Sequence, residues 1–353
     1  MFQHAGRTSA LADLRQSVTP FRRLRAGARW RGLLHVAAVA AVLVLQACQP
    51  APISPLTVGV HTWVGYDPLV LARDQGLLEA QQVKVVELSS SSETQRHFRN
   101  GLLDAAALTL DEALGLSDQG IDLRVVAVLD ASVGGDAVLA GESIRSLADL
   151  RGARIAVEGT TVGQLMLQRL LQAAGLALSD VQVVNADVNR HLSELQSGRV
   201  GAAVSHEPLA SVLRAAGYRV VFDSRQMPGD IVDVLVVRTE LLQTRPAQVD
   251  ALLGAWRDGV QALRADPLAA ARLLAPGADL QPDAYLSVLE GLRLYTPEES
   301  LQQLNGTPPP LAQDAGRLVA TLQQMGRIRN APDWSLLLAP APAQRLLQKG
   351  REP

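Results

Sequence analysis

Several things that would mark a function are scarce or missing in this chain. It has one cysteine in 353 residues, Cys48, which excludes an intrachain disulfide framework and a cysteine-based zinc cluster. Only Lys84 and Lys349 are lysines, so its positive charge is nearly all arginine. Aromatic residues make up 3% of the chain, so a loop that gathers two of them is unusual. No apolar run reaches the roughly 20 residues that a membrane-crossing helix needs. There is no phosphate-cradling G-x-x-x-x-G-K-S/T, no G-x-S-x-G elbow and no H-E-x-x-H. Gly134-Gly135 follows a strand-like run without opening a long helix, so it is not a dinucleotide fingerprint. No internal repeat of about 20–50 residues is visible, which removes solenoids and propellers.

What is present divides by charge. Residues 1–47 hold seven Arg and one Asp, a net +6, whereas residues 48–353 hold 26 basic against 34 acidic side chains, a net −8. A body that acidic lacks the basic track that a nucleic-acid groove requires. The length suits two domains, and 48% hydrophobic with 19% charged residues is a globular composition.

The first segment reads as an address. Arg22, Arg23, Arg25, Arg29 and Arg31 precede Leu33 to Leu45, an apolar run broken only by His35. That run is short for an anchor and right for a secretory core. Leu45-Gln46-Ala47-Cys48 follows, and it resembles the lipobox of bacterial lipoproteins. The resemblance implies a signal peptide over 1–47, cleavage before Cys48, acylation (palmitate) of that cysteine and a tether over 48–55. The alternative is a short membrane anchor with a chance cysteine. Gln49 stands where an Asp would mark inner-membrane retention, so inner or outer membrane stays open.

Beyond the tether, apolar runs alternate with helical patterns. Strands are expected at Leu56–His61, Val83–Leu88, Ala105–Leu110 and Leu123–Leu129, with helices between them. One helix is expected from a cap at Asp67 to about Ala80, and another capped by Asp111. Alternation of this kind predicts a parallel sheet covered on both faces. The pattern breaks after a short strand at Ala137–Ala140, and a second series begins at Arg154–Val157. Its helix opens at Thr160-Thr161 and reaches Ala174, and its last strand is Val232–Val237. After about residue 246 the periodicity is helical. The breaks predict an α/β protein of two lobes: lobe 1 from 56–142 and 233–353, lobe 2 from 143–232.

Ligands of open parallel sheets bind beyond the carboxyl ends of the strands. The loops at those ends include WVGYD at 63–67, the stretch from Asp130 to Asp136, Gly159-Thr160-Thr161 and His206-Glu207-Pro208. With WVGYDPLVLARDQGLL, NGLLDAA, SLADLRGARIAVEGTT and RVGAAVSHEPLASVL, in that order, residues 56–265 resemble the substrate-binding lipoproteins of the nitrate/sulfonate/taurine and thiamine-precursor ABC importers. The resemblance implies a type II periplasmic-binding-protein fold: two α/β lobes, two hinge crossings and a ligand cleft between them. It implies an exported, lipid-anchored, monomeric solute-binding protein that delivers a small molecule to an inner-membrane permease, with no enzymatic activity. The helical region past 265 has no counterpart in the resemblance.

The residues of these loops indicate the ligand. Trp63 and Tyr66 either stack on a ligand or pack their own loop. Thr160 and Thr161 either present donors to an anionic group or serve as an ordinary cap. His61 and His206 sit just past strand ends; without a second ligand at helical spacing, they are expected to line the cleft and not to hold a metal. Asp111, Asp130, Asp136 and Glu207, with Ser132 and Gly135, complete the candidate set. So many carboxylates would repel a small dianion. The expected ligand is a small polar organic molecule bearing an amine, amide or hydroxyl, such as a sulfonate zwitterion or a pyrimidine. No cofactor is expected. Two alternatives keep the fold: a ligand sensor for a membrane signalling protein, or an enzyme of the thiamine-pyrimidine or menaquinone type. The former enzymes use a cysteine-rich iron motif, which this chain lacks.

Overall fold

The computed structural model describes residues 54–78 and 82–349. The basic run, the apolar core, the lipobox and Cys48 lie outside the described residues. In chain order the first part runs β1 (Leu56–His61), α1 (Asp67–Asp74), β2 (Val83–Leu88), α2 (Ser91–Arg99), β3 (Ala105–Thr109), α3 (Leu110–Asp118), β4 (Leu123–Ser132) and β5 (Asp136–Ala140). It continues with β6 (Arg154–Val157), α4 (Thr161–Ala174), β7 (Gln182–Asn185), α5 (His191–Gln196), β8 (Ala202–His206), α6 (Leu209–Ala215), β9 (Arg219–Asp223) and β10 (Val232–Arg238). The helical region then includes α7 (Leu241–Thr244), α8 (Pro246–Ala265), a three-residue strand β11 (Leu292–Leu294) and, near the end, α9 (Gly316–Gln324). Among the described residues no helix is long and apolar enough to cross a membrane.

The strands form two sheets, ordered β11-β4-β10-β3-β1-β2 and β7-β6-β8-β5-β9. The parallel pairs are those the alternation predicts: β1 with β2 and β3, and β6 with β7 and β8. The strands that cross or return run the other way. β10 is antiparallel to β3 and β4, and β5 is antiparallel to β8 and β9. Residues 136–140, expected with the first lobe, therefore pair in the second sheet. The first crossing falls at 133–135, ahead of the expected boundary at 142, and the chain returns to the first sheet after β9. Strand-forming character is local, but sheet membership depends on partners distant in sequence.

Two helix starts differ from expectation. Asp67 does not cap α1; it is the first helical residue, and its carboxylate accepts a hydrogen bond from the Tyr285 hydroxyl at 2.5 Å. The helix stops at Asp74, short of Ala80, because Gly76 turns left-handed (φ 68°) and Leu77 N–H bonds back to the Ala72 carbonyl. In α3 the cap is Thr109. The Glu112 carboxylate accepts the Thr109 backbone N–H, and Asp111 sits in the first turn. That shift of two residues frees the Asp111 carboxyl from capping.

On one face of the first sheet Val58, Val60, Leu235 and Val237 pack with Leu69 and Leu71 of α1 and Leu252, Trp256 and Val260 of α8. The other face merges with apolar residues of α3, α4 and α9, including Leu114, Leu165, Leu170, Leu318 and Leu322. The helical tail thus touches both sheets. Arg317 of α9 and Arg169 of α4 both bind the carboxylate of Asp230, and Arg169 also donates to Thr321 Oγ1 at 3.1 Å.

Candidate ligand-binding site

The carboxyl ends of the strands of both sheets converge, and the residues there are nearly all buried. β1 ends at His61. The short turn Val64–Tyr66 then folds Trp63 and Tyr66 inward, leaving 5% and 1% of each exposed. Trp63 Nε1 donates to Asp130 Oδ1 at 3.2 Å. The Tyr66 hydroxyl donates to Asp233 Oδ1 at 2.5 Å. Asp130 on β4 and Asp233 on β10 stand opposite each other in the antiparallel register. Both aromatic side chains are thereby tied to the two strands next to the crossings.

Close approach makes this possible. A Cβ on Gly65 would lie 2.1 Å from Asp130 Oδ2 and 2.5 Å from Trp63 Nε1. A Cβ on Gly135 would lie 2.7 Å from Trp63 Cη2, at the other end of the indole. Glycines at both positions let the ring slide between the crossing segment and its own loop. The ring edge meets His206 at a centroid distance of 5.7 Å, and His61 contacts Tyr66 at 5.1 Å and His206 at 6.2 Å. Aromatic residues of the first sheet's loop and a histidine of the second thus share one wall.

The crossing itself is built from hydroxyls. Ser132 and Ser224 are joined through their Oγ atoms at 2.8 Å; Ser132 Oγ accepts the Asp136 N–H and Ser224 Oγ accepts the Gly134 N–H. Gly135 accepts the Glu207 N–H through its carbonyl at 2.9 Å. Asp136 pairs opposite His206 in the β5–β8 register.

Five carboxyl groups share this interior: Asp111, Glu112, Asp130, Asp136 and Asp233, each at most 7% exposed. None of the five is in an ion pair among the described residues, where each ion pair with a buried acid goes to Glu194, Glu207 or Asp230 or, around Asp223, to Arg225. Burial pushes Asp111 and Asp130 up to about 7 and Glu112 up to about 8; neighbouring carboxylates add to the shift of all three. Asp136 is also raised by burial, against the pull of His206. Asp233 is raised well above its ordinary value by burial first and by Asp130 next. Burial lowers His61 to about 3, with His206 acting in the same direction. Among the described residues, both oxygens of Asp111, one oxygen each of Asp130 and Asp233, His61 Nδ1, His206 Nε2 and Ser205 Oγ have no hydrogen-bond partner. Such groups are costly to bury unless something supplies the missing partner. A cavity of about 300 Å3 is lined by His61, Trp63 and Pro208 and by Arg73, Asp74 and Glu87.

The structure brings together His61, Trp63, Tyr66, Asp111, Asp130, Ser132, Gly135, Asp136 and His206. It treats three expected site residues differently. Glu207 is already paired: Arg214 binds one carboxylate oxygen and the Ser211 N–H the other. Thr160 Oγ1 accepts the Gly163 N–H at 3.2 Å, an ordinary cap, and with Thr161 it lines a crevice of about 380 Å3 shared with Gln95, Arg99 and Arg327. Sequence reasoning missed Asp233 and Glu112 as site residues. An aspartate as the second residue of the apolar strand VDVLVVR was the available signal for Asp233. Glu112 is in the first turn of α3, and it is buried beside Ser91, whose hydroxyl donates to it at 2.6 Å.

Two α/β lobes joined by crossing strands, with a buried polar cluster at the strand ends, define a protein with the two-lobed fold of periplasmic binding proteins and a helical C-terminal region. The chain belongs to the NMT1-like family, whose pattern matches residues 49–275. A Brucella abortus protein named only as a binding protein is 27% identical over 232 residues, 60% of this chain and 68% of that protein. Solved structures share the fold at lower identity. The ligand-binding component of an ABC-type import system from Staphylococcus aureus, with zinc bound, has a TM-score of 0.70 at 11% identity, over 83% of this chain and 99% of that one. The alkanesulfonate-binding protein SsuA from Xanthomonas axonopodis, bound to MOPS, has a TM-score of 0.65 at 20% identity, over 83% and 99%. The desulfurization enzyme DSZB has a TM-score of 0.64 at 19% identity, over 85% and 100%. The fold therefore accommodates both binding and catalysis, and the site has to distinguish them.

Proposed function

We propose that this chain is the exported, lipid-anchored solute-binding component of an ABC-type importer, and that its two lobes close on a small organic molecule rich in hydrogen-bond donors. One observation carries the reading: five buried carboxyl groups, none with an arginine or lysine partner among the described residues, lie beside an indole and a phenol at the strand ends. A ligand with an amine, amidine, amide or hydroxyl supplies the donors these acceptors lack. Its apolar part rests on Trp63 and Tyr66, the division of labour common in ligand pockets. An inorganic dianion would face five acids, none of them paired with a cation among the described residues. Binding is favoured over catalysis because, among the described residues, no serine or threonine hydroxyl is hydrogen-bonded to a histidine, the arrangement that activates such a nucleophile.

A thermal-shift screen of the purified protein, followed by calorimetry, tests the ligand class. Amines, amidines and aminopyrimidines are expected to stabilise it, and sulfate, nitrate and simple sulfonates are not. Stabilisation by the anions alone would overturn the reading. Anchoring is tested separately in the full chain: Cys48→Ser should leave the precursor uncleaved and free of lipid label.

A further inference from the structure

We propose that Asp130 and Asp233, facing each other across β4 and β10, share one proton in the unliganded protein and surrender it when an organic cation binds, which makes this pair the determinant of cation selectivity. The inference rests on the ligand class proposed above and adds a stoichiometry to it. The geometry is specific. Each aspartate spends one oxygen on an aromatic donor, Trp63 Nε1 for Asp130 and the Tyr66 hydroxyl for Asp233. The other oxygen of each, Oδ2, is buried without a hydrogen-bond donor. The two residues are register partners on adjacent antiparallel strands, and Asp130 is the neighbour that most raises Asp233. Two carboxyls buried opposite each other with no cation between them do not both ionise; one keeps a proton and shares it with its neighbour.

The surroundings reinforce this. Around the pair are Tyr66 from the β1 loop, Asp136 from β5 and Tyr295 from the segment after β11; beyond them lie Glu112, which acts on Tyr66, Asp111, on which Asp136 acts, and His61 and His206, which meet Tyr66 and Trp63 edge-on. Among the described residues no arginine or lysine forms an ion pair with any of these acids. Arg293 on β11 is stacked on Tyr295 and paired with Glu299 at 3.5 Å, and Arg214 is paired with Glu207. The pair's proton lies between the two oxygens that an incoming cation would meet, and it can leave. When a cation carrying at least two N–H donors reaches the pair, it meets both free oxygens and replaces the proton, which passes to solvent. One positive charge enters and one leaves, so the buried charge is unchanged. A neutral ligand cannot displace the proton, and an anion meets only like charge. The pair is tied through Trp63 and Tyr66 to the wall the ligand rests on, so the exchange is sensed at the strands that border both crossings.

Three ring compounds that differ in charge test this: benzamidine, benzamide and benzenesulfonate. Calorimetry of the purified protein in two buffers of different ionisation heat counts the protons released. Benzamidine is expected to bind with release of a proton near neutral pH, and benzamide without. Asp233→Asn should lower the release below that of the wild type and weaken benzamidine about tenfold or more, the ratio carried by one pKa unit of differential interaction. Asp130→Asn is the second variant, should the first fail to fold. Infrared spectra of the unliganded wild type supply an arm that needs no ligand or variant: a protonated-carboxyl carbonyl band is expected at neutral pH. Absence of that band, or benzamidine binding without proton release, overturns the inference and leaves the ligand class standing. A band that is present and lost in Asp233→Asn, with benzenesulfonate preferred over benzamidine, overturns the cation reading of the whole site. Failure of all three compounds to bind a protein that shows the band refutes cation selection by the pair.

Discussion

Gly65→Ala and Gly135→Ala place one methyl group at each end of the Trp63 indole, and the two should fail for different reasons. At position 65 the new Cβ would stand 2.1 Å from Asp130 Oδ2 and 2.5 Å from Trp63 Nε1. It would wedge apart the two groups that form the 3.2 Å hydrogen bond. Overpacking costs about 1–3 kcal/mol, and orphaning a buried donor or acceptor adds about 1–3 kcal/mol. Gly65→Ala should therefore destabilise by roughly 2–6 kcal/mol. At position 135 the clash is with Trp63 Cη2 at 2.7 Å, and the next contact is the Gly291 carbonyl oxygen at 3.1 Å. The cost there is overpacking alone, about 1–3 kcal/mol. In a Trp63→Ala background the 2.7 Å contact is gone, and Gly135→Ala should cost less than about 1 kcal/mol. The double-mutant cycle should thus report a coupling of about 1–2 kcal/mol between positions 63 and 135. Urea unfolding followed by far-ultraviolet circular dichroism measures it without depending on the tryptophan signal. Equal costs of Gly135→Ala in the two backgrounds would refute the placement of the indole between crossing segment and loop.

The remaining predictions concern affinity, pH and the tail. Trp63→Ala should weaken the best ligand of the screen by about 1–3 kcal/mol through lost apolar contact; unchanged affinity by calorimetry would remove Trp63 from the ligand wall. Burial raises the native pKa of Asp111, Asp130 and Glu112 to about 7, 7 and 8, so the native state holds protons that the unfolded chain has released. Their stabilising contribution is full below the unfolded carboxylate range and is lost as pH rises through the native values. Buried His61 and His191, lowered to about 3 and 4, act oppositely only up to their unfolded value near 6.5. Between pH ~6.5 and ~8 unliganded stability should therefore fall, by up to about 1.4 kcal/mol per pH unit for each carboxyl still protonated; urea midpoints that rise across that interval would contradict the acid cluster. Asp230→Asn leaves Arg169 and Arg317 without the carboxylate they share, at 2.7 and 2.8 Å. Both arginines retain some solvent, so a loss of about 1–3 kcal/mol is expected, and an unchanged urea midpoint would show that this anchor of the tail is energetically idle.

Much of this molecule was legible residue by residue. The apolar runs LTVGVH, VKVVEL and VDVLVV became β1, β2 and β10, and Thr160 opened α4, which ended at Ala174 as the periodicity implied. The scarce aromatics Trp63 and Tyr66 and the acids at strand ends identified the loops that meet. These are properties of hydrophobic period, capping chemistry and turn residues, which act over a few neighbours. What tertiary structure alone decided are the pairings. Asp233 faces Asp130 from about a hundred residues away because β10 returns antiparallel beside β4. Ala137–Ala140 joins the second sheet because its partners are β8 and β9. Glu207 is spent on Arg214, one helix further along, while Asp111 is released from capping because Thr109 caps in its place. Sheet register and the burial it imposes determine which carboxyls are neutralised by a partner and which keep their need for one, and no local pattern encodes that choice.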